Sequence, residues 1–230
     1  MLHSWNLSPD AAIALQRQLR NRLILTWDDR PVTTVGGVDV SIKTDIARAA
    51  IVVFSYPDLT PLHSVTADAP LTFPYIPGLL SFREAPAILA AWGRLPLEPD
   101  LVMIDGQGIA HPRGLGIASH LGLWIDRPTV GVAKSRLYGK HVEPGPNRGD
   151  QAPLYDEHDS SQIIGAVLRT RPGVKPLYIS PGYRIDLEHS LRFVLDCVTR
   201  YRLPEPTRWA HSVGAGVQFP AADNLQTRLF

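Results

Sequence analysis

Two aspartates stand where an apolar strand has no use for them. Asp39 interrupts the run Gly37-Val38-Asp39-Val40-Ser41, and Asp105 ends Leu101-Val102-Met103-Ile104, which is otherwise wholly apolar. A buried, unpaired carboxylate is costly, so each must find a cation, a set of hydrogen-bond donors or a raised pKa. An Asp-Gly pair after a strand is also a common turn, and for Asp105 taken alone that plainer reading stays open. A third acid, Glu84, follows Ser81-Phe82-Arg83 in the pattern of a helix capping box. Pro86 argues against that box and for a later helix start, because it lacks an amide hydrogen that a helix capped at Ser81 needs.

Neighbouring strands lie about 5 Å apart. Two bare carboxylates brought that close repel by on the order of 4 kcal/mol at an effective dielectric near 20. A divalent cation removes that cost. The chain has one cysteine, Cys197, which excludes an internal disulfide and a Cys-rich zinc site. All-oxygen ligands favour Mg²⁺, with Mn²⁺ able to substitute, over zinc.

The elements that must position these acids are legible in outline. Ser8-Pro9-Asp10 reads as an N-cap, a first-turn proline and an early acid, with Ala12, Leu15, Leu19 and Leu23 following on one helical face. Residues 32–42, 48–56 and 61–67 read as three strands of an antiparallel meander. The loop Phe73-Pro74-Tyr75-Ile76-Pro77-Gly78 leads into a helix through Ile88, Leu89 and Trp92. Residues 101–104 then read as a buried parallel strand, 114–125 as a helix and 129–133 as another buried strand. A short right-handed crossover sets the first parallel strand beside the first strand of the meander, which brings Asp39 and Asp105 together. The order predicts an α/β fold with a mixed sheet, meander plus parallel strands, flanked by helices. Further on, 141–160 reads as a surface loop, 163–170 and 175–180 as a hairpin, and Asp186 as the cap of a last helix reaching Val198. Residues 1–230 are read as a single domain with a loosely held tail from about 214.

Charge does not advertise a nucleic-acid binder: 23 Lys+Arg stand against 22 Asp+Glu, a formal net charge of +1. Its distribution says more. Lys134, Arg136, Lys140 and Arg148 are opposed between 134 and 149 by Glu143 alone. The run starts at the sheet end that carries Asp105, where α/β folds bind ligands, and reads as a phosphate-binding rim. Gly106-Gln107-Gly108 suggests a dinucleotide loop, but the third glycine is replaced by His111 and Asp105 would repel a pyrophosphate. No Gly-x-Ser-x-Gly elbow is present for a serine hydrolase. Tyr75 between two prolines has the rigidity of a wedge that separates bases, although most such rings merely pack. No apolar run approaches the roughly 18 residues that span a bilayer. The first ten residues lack a signal-peptide pattern, and a single cysteine suits a reducing compartment, so a cytoplasmic protein without a membrane partner is expected.

Taken in order and spacing, these motifs resemble the endonuclease V family of the ribonuclease-H-like superfamily. The carriers are Gly37 to Ser41, Pro74 to Gly78 with Ser81 to Glu84, Asp105 to Gly108, His111-Pro112-Arg113 and Gly131-Val132-Ala133-Lys134-Ser135, within a match over roughly residues 33 to 212. The resemblance implies a DNA-repair hydrolase acting on DNA damage: an endonuclease that recognises deaminated purines, deoxyinosine above all, in double- or single-stranded DNA. It would cut the second phosphodiester bond 3′ to the lesion, leave a 3′-hydroxyl and a 5′-phosphate, and retain the modified base. Asp39 and Asp105 would bind Mg²⁺, Glu84 would complete the cluster directly or through water, and Lys134 would steady the scissile phosphate. Tyr75, with Pro74, Ile76 and Pro77, matches the family wedge; Gly78, Leu80, Gly106, Gly108 and His111 match its base pocket. His211 aligns with a position that varies between histidine and aspartate and is expected either to help with metal or water or to be a plain surface histidine. Gln107 stands where many relatives have histidine. Two alternatives remain, an endoribonuclease specific for inosine in RNA and a non-catalytic nucleic-acid-binding module of the same fold. A monomer is expected.

Overall fold

In the computed structural model, which describes residues 2–220, eight strands form one sheet in the order β3-β2-β1-β4-β5-β8-β7-β6. Strands β1 (Thr34–Lys43), β2 (Ile46–Ser55) and β3 (Pro61–Pro70) make the antiparallel meander. β4 (Leu101–Ile104) and β5 (Thr129–Ala133) add in parallel to β1, and β8 (Leu177–Tyr183), β7 (Ile163–Leu168) and β6 (Gln151–Tyr155) extend the other edge antiparallel. Helices α2 (Leu80–Trp92) and α3 (Ile117–Ile125) cover one face, and α4 (Leu187–Asp196) and α5 (Glu205–Gly214) the other. α1 (Pro9–Arg20) packs Ala12 against Phe73, Leu79 and Phe82.

The continuous apolar runs are explained by burial on both faces. Leu101 and Met103 of β4 join Val130 and Val132 in the core beneath α4 and α5, whereas Val102 and Ile104 join Ala85, Ile88 and Leu121 on the α2–α3 side. Two-residue alternation continues through β2, where Ala50, Val52 and Phe54 face the first core and Ala49 and Ile51 the second. The resulting fold is the mixed α/β sheet flanked by helices that the residue pattern predicts, in the ribonuclease-H-like form that the resemblance implies.

Four local expectations are corrected. Ser81 is not a cap: α2 begins at Leu80 after Leu79, which gives no side-chain cap, and it runs straight through Pro86. One missing amide bond is tolerated there because Ala85, Ala87, Ile88 and Ala91 are all buried. The helix placed at 114–125 starts at Ile117. Within the expected loop 141–160, residues 151–155 form edge strand β6, whose Pro153 sits in an edge strand, where a missing amide is tolerated. The helix after Asp186 is not the last, since α5 follows and lies on β1 and β2. As for the expected tail, Phe219 is buried against Phe54 and Trp209, ring centroids 5.2 and 5.7 Å apart, and 221–230 lie outside the described residues. Among the described residues no helix is long and apolar enough to cross a membrane.

Candidate active site

The β1–β4 register pairs Val38 with Ile104, so the next residue of each strand, Asp39 and Asp105, emerges at the same sheet end. The Asp105 amide donates to the Val38 carbonyl at 3.0 Å, which ties the two positions together. Gly37 has a structural task on the neighbouring turn of chain: a Cβ there would collide with the Pro206 carbonyl of α5. That close approach lets His211, one helical turn further on, place Nδ1 3.0 Å from Asp39 Oδ2. From the opposite face α2 contributes Glu84, and from the end of β5 Lys134 donates Nζ to Asp105 Oδ2.

These acids repel. Burial, and then the adjacent Asp105 carboxylate, push Asp39 up to about 6. Glu84 is raised to about 8 by burial first and then by the negative charges of Asp39 and Asp105. Such mutual elevation is the cost that a hard cation relieves, and the donor set, carboxylate oxygen throughout, suits Mg²⁺ or Mn²⁺. Among the described residues no three acidic, histidine or cysteine side chains already converge on one point as a closed metal cage, and the Lys134 ammonium is the nearest counter-charge to Asp105.

Beside the acids opens a cavity of about 300 Å³ whose wall includes Asp105, Lys134, Gly106, Gln107, Gly78, Leu80, His111, Tyr75, Ile76 and Pro77. Tyr75 stands on its rim with 70 % of its surface exposed. Gly78, at φ +80°, turns its carbonyl toward three donors: His111 Nε2 at 2.8 Å, Arg113 Nη2 at 2.7 Å and Gln16 Nε2 at 2.9 Å. This clamp fixes the Pro74–Gly78 loop on the body of the protein. His111 spends both ring nitrogens on it, since Nδ1 accepts from the Arg113 amide, and burial holds its pKa down to about 4. It therefore braces the wall as a neutral ring.

One expected pocket residue is placed elsewhere. Gly108 is not on the cavity wall; its amide donates to Ser180 Oγ and a Cβ would strike the Pro181 carbonyl of β8, so its smallness serves packing. Pro74, expected in the wedge with Tyr75, is exposed beside it. Conversely Gln16, Leu115, Gly116, Ile117 and Leu137 line the cavity with no signal in the sequence, and Ser81 and Ser135, known only as members of motifs, line it too. Gln16 carried no signal, because its partners Gly78 and Leu115 are 62 and 99 residues away in sequence.

A family model described as Endonuclease V matches residues 17–212. The chain belongs to the Endonuclease V family. Among its relatives, the Endonuclease V of Roseiflexus sp. (strain RS-1) is 49 % identical over 216 residues, covering 94 % of this chain and 96 % of the relative. The crystal structure of Endonuclease V from Streptomyces avermitilis superposes with a TM-score of 0.87 at 42 % identity, covering 93 % of this chain and 94 % of that one. Ciona intestinalis Endonuclease V, solved in complex with a 24mer DNA containing an inosine followed by a ribo-adenosine, is 28 % identical with a TM-score of 0.75, over 88 % of this chain and 94 % of that one.

Proposed function

We propose that this protein is a divalent-metal-dependent endonuclease that recognises deaminated purines, deoxyinosine first among them, and hydrolyses the second phosphodiester bond 3′ to the lesion. The observation that carries the reading is the direct continuity of the acid cluster with a base-sized cavity: Asp105 and Lys134 belong to both. A flipped base in the cavity has its own backbone beside the acids, so recognition and cleavage share one frame.

Asp39 and Asp105 would hold Mg²⁺ or Mn²⁺, with Glu84 joining directly or through water, and the ion would lower the pKa of the attacking water and offset charge at phosphorus. His211 Nδ1 holds Asp39 Oδ2 in one orientation. Lys134, which pairs with Asp105 at the cavity edge, would supply its ammonium to the scissile phosphate. Tyr75 fills the gap left in the stack, which its exposed position and the clamped loop beneath it allow. The leaving 3′-oxygen becomes a hydroxyl and the phosphate stays on the 5′ end of the downstream strand. We further infer a single-domain monomer acting in the cytoplasm; a free, buried Cys197 accords with a reducing compartment.

The ribo-adenosine in the Ciona complex gives a specific reason to carry RNA as the second substrate. A strand-resolved cleavage assay on matched DNA and RNA oligonucleotides, with and without inosine, in Mg²⁺ and in Mn²⁺ tests the reading. Cutting of inosine strands at the second bond 3′ to the lesion is expected. Absence of cutting on every strand leaves the non-catalytic binding module; equal cutting of damaged and undamaged strands refutes base recognition.

A further inference from the structure

Behind the cavity wall, His3 and Trp5 of the N-terminal segment close an aromatic cage with Phe82, His120 and Trp124. Trp5 stacks on Trp124 with centroids 5.2 Å apart and lies 5.0 Å from His120, which has no exposed surface. A chain of hydrogen bonds threads this cage. His3 Nδ1 is 2.8 Å from the Ser4 carbonyl oxygen, and His3 Nε2 faces both Trp124 Nε1 at 3.1 Å and His120 Nε2 at 2.7 Å. His120 Nδ1 then meets Ser81 Oγ at 2.9 Å.

The two ends of the chain dictate where every hydrogen lies. A carbonyl only accepts, so His3 Nδ1 carries its hydrogen. An indole nitrogen only donates, so His3 Nε2 is bare. His120 must therefore donate through Nε2, which leaves its Nδ1 bare, and the hydrogen in the last contact belongs to the Ser81 hydroxyl. Burial lowers the pKa of both rings, that of His120 to about 3, which keeps them neutral and the assignment unique. Ser81 is 2 % exposed and is one of the residues that line the cavity.

We propose that Ser81 is a specificity-determining residue: with its hydrogen committed inward to His120, it presents only lone pairs to the cavity and accepts from the N–H edge of a bound base. The proposal rests on the base-binding reading above and deepens it. Hypoxanthine carries a hydrogen on N1, whereas adenine has a bare N1, so the same oxygen attracts one base and opposes the other. His120 and His3 are positioning residues that act through Ser81.

Two measurements test it. The first is binding of wild type and Ser81→Ala, in Ca²⁺, to duplexes carrying deoxyinosine or deoxynebularine, a purine with a bare N1, at the same position. Ser81→Ala is expected to weaken the inosine complex about tenfold and to change the nebularine complex by less than about twofold. Equal losses on both, or none on inosine, overturn the proposal. The second is the ring-nitrogen NMR spectrum of the wild type, in which His120 is expected as the Nε2–H tautomer; protonation at Nδ1 overturns the assignment. That spectrum decides the point even if wild type shows no preference for inosine, the result that would defeat the base-binding reading instead.

Discussion

Strands β1 and β4 carry an aspartate arrangement at each end, and the two ends behave oppositely. At the N-terminal end Asp100 Oδ2 accepts four hydrogen bonds, from the amides of Thr33 and Thr34 at 2.9 and 3.0 Å and from their hydroxyls at 2.9 and 3.0 Å. Burial pushes its pKa up, but those donors outweigh burial and hold it below the usual carboxylate range. At the C-terminal end Asp39 and Glu84 are raised, by burial and by neighbouring acids. The lesson is about provision of partners. The chain supplies donors to the aspartate that joins the strands, and it leaves the other carboxylates short of positive charge, as a site built to take a cation must.

Breaking the C-terminal end should cost function rather than stability. Asp105→Asn is expected to lower cleavage of an inosine strand by about 10³-fold or more, while the thermal midpoint stays level or rises because repulsion with Asp39 is gone; single-turnover kinetics and thermal unfolding check the pair of outcomes. Next in size, Tyr75→Ala should reduce the preference for inosine over undamaged strand by about 10- to 100-fold, the scale of one lost base stack, read as the ratio of the two kcat/KM values. At the N-terminal end the reverse holds. Asp100→Ala is expected to cost about 1–2 kcal/mol in denaturant unfolding, discounted for partial exposure, with cleavage at a permissive temperature unchanged.

The smallest effect is in pH. Without metal, the folded state holds a proton on Glu84 to about pH 8, whereas an unfolded glutamate has released it by about 4.5. The stability tied to that proton is complete below the unfolded value and is lost as pH rises through the folded one. His111 and His120 act in the opposite sense, losing stability as pH falls below about 6.5, so the clean window lies above neutrality. From pH 7 to 8 the thermal midpoint should fall by roughly 2–4 °C, and Glu84→Gln should abolish the slope.

How much of this was legible depends on the range of the forces involved. Asp39 and Asp105 were legible because one carboxylate lies inside an apolar strand and the other ends a wholly apolar one, and the crossover rule then made them neighbours. α5 was missed: its apolar face is little more than Ala210 and Val213, and the helix is held by packing on β1 through Gly37. β6 was hidden by Pro153, which only an edge position permits. Asp100 gave no sign of its role, since its donors lie 66 and 67 residues away. The Gly78 clamp and the Ser81–His120–His3 chain are likewise side-chain matters of long sequence separation, beyond any periodicity.

The central claim is that the carboxylates just past the C-terminal end of the β1–β4 pairing form the cation site and Asp100 does not. A Mn²⁺ titration followed by electron paramagnetic resonance on wild type, Asp39→Asn, Asp105→Asn and Asp100→Ala tests it most directly. Saturable binding in wild type and Asp100→Ala, lost in the other two, is the outcome expected. Undiminished Mn²⁺ binding in Asp39→Asn and Asp105→Asn would contradict it.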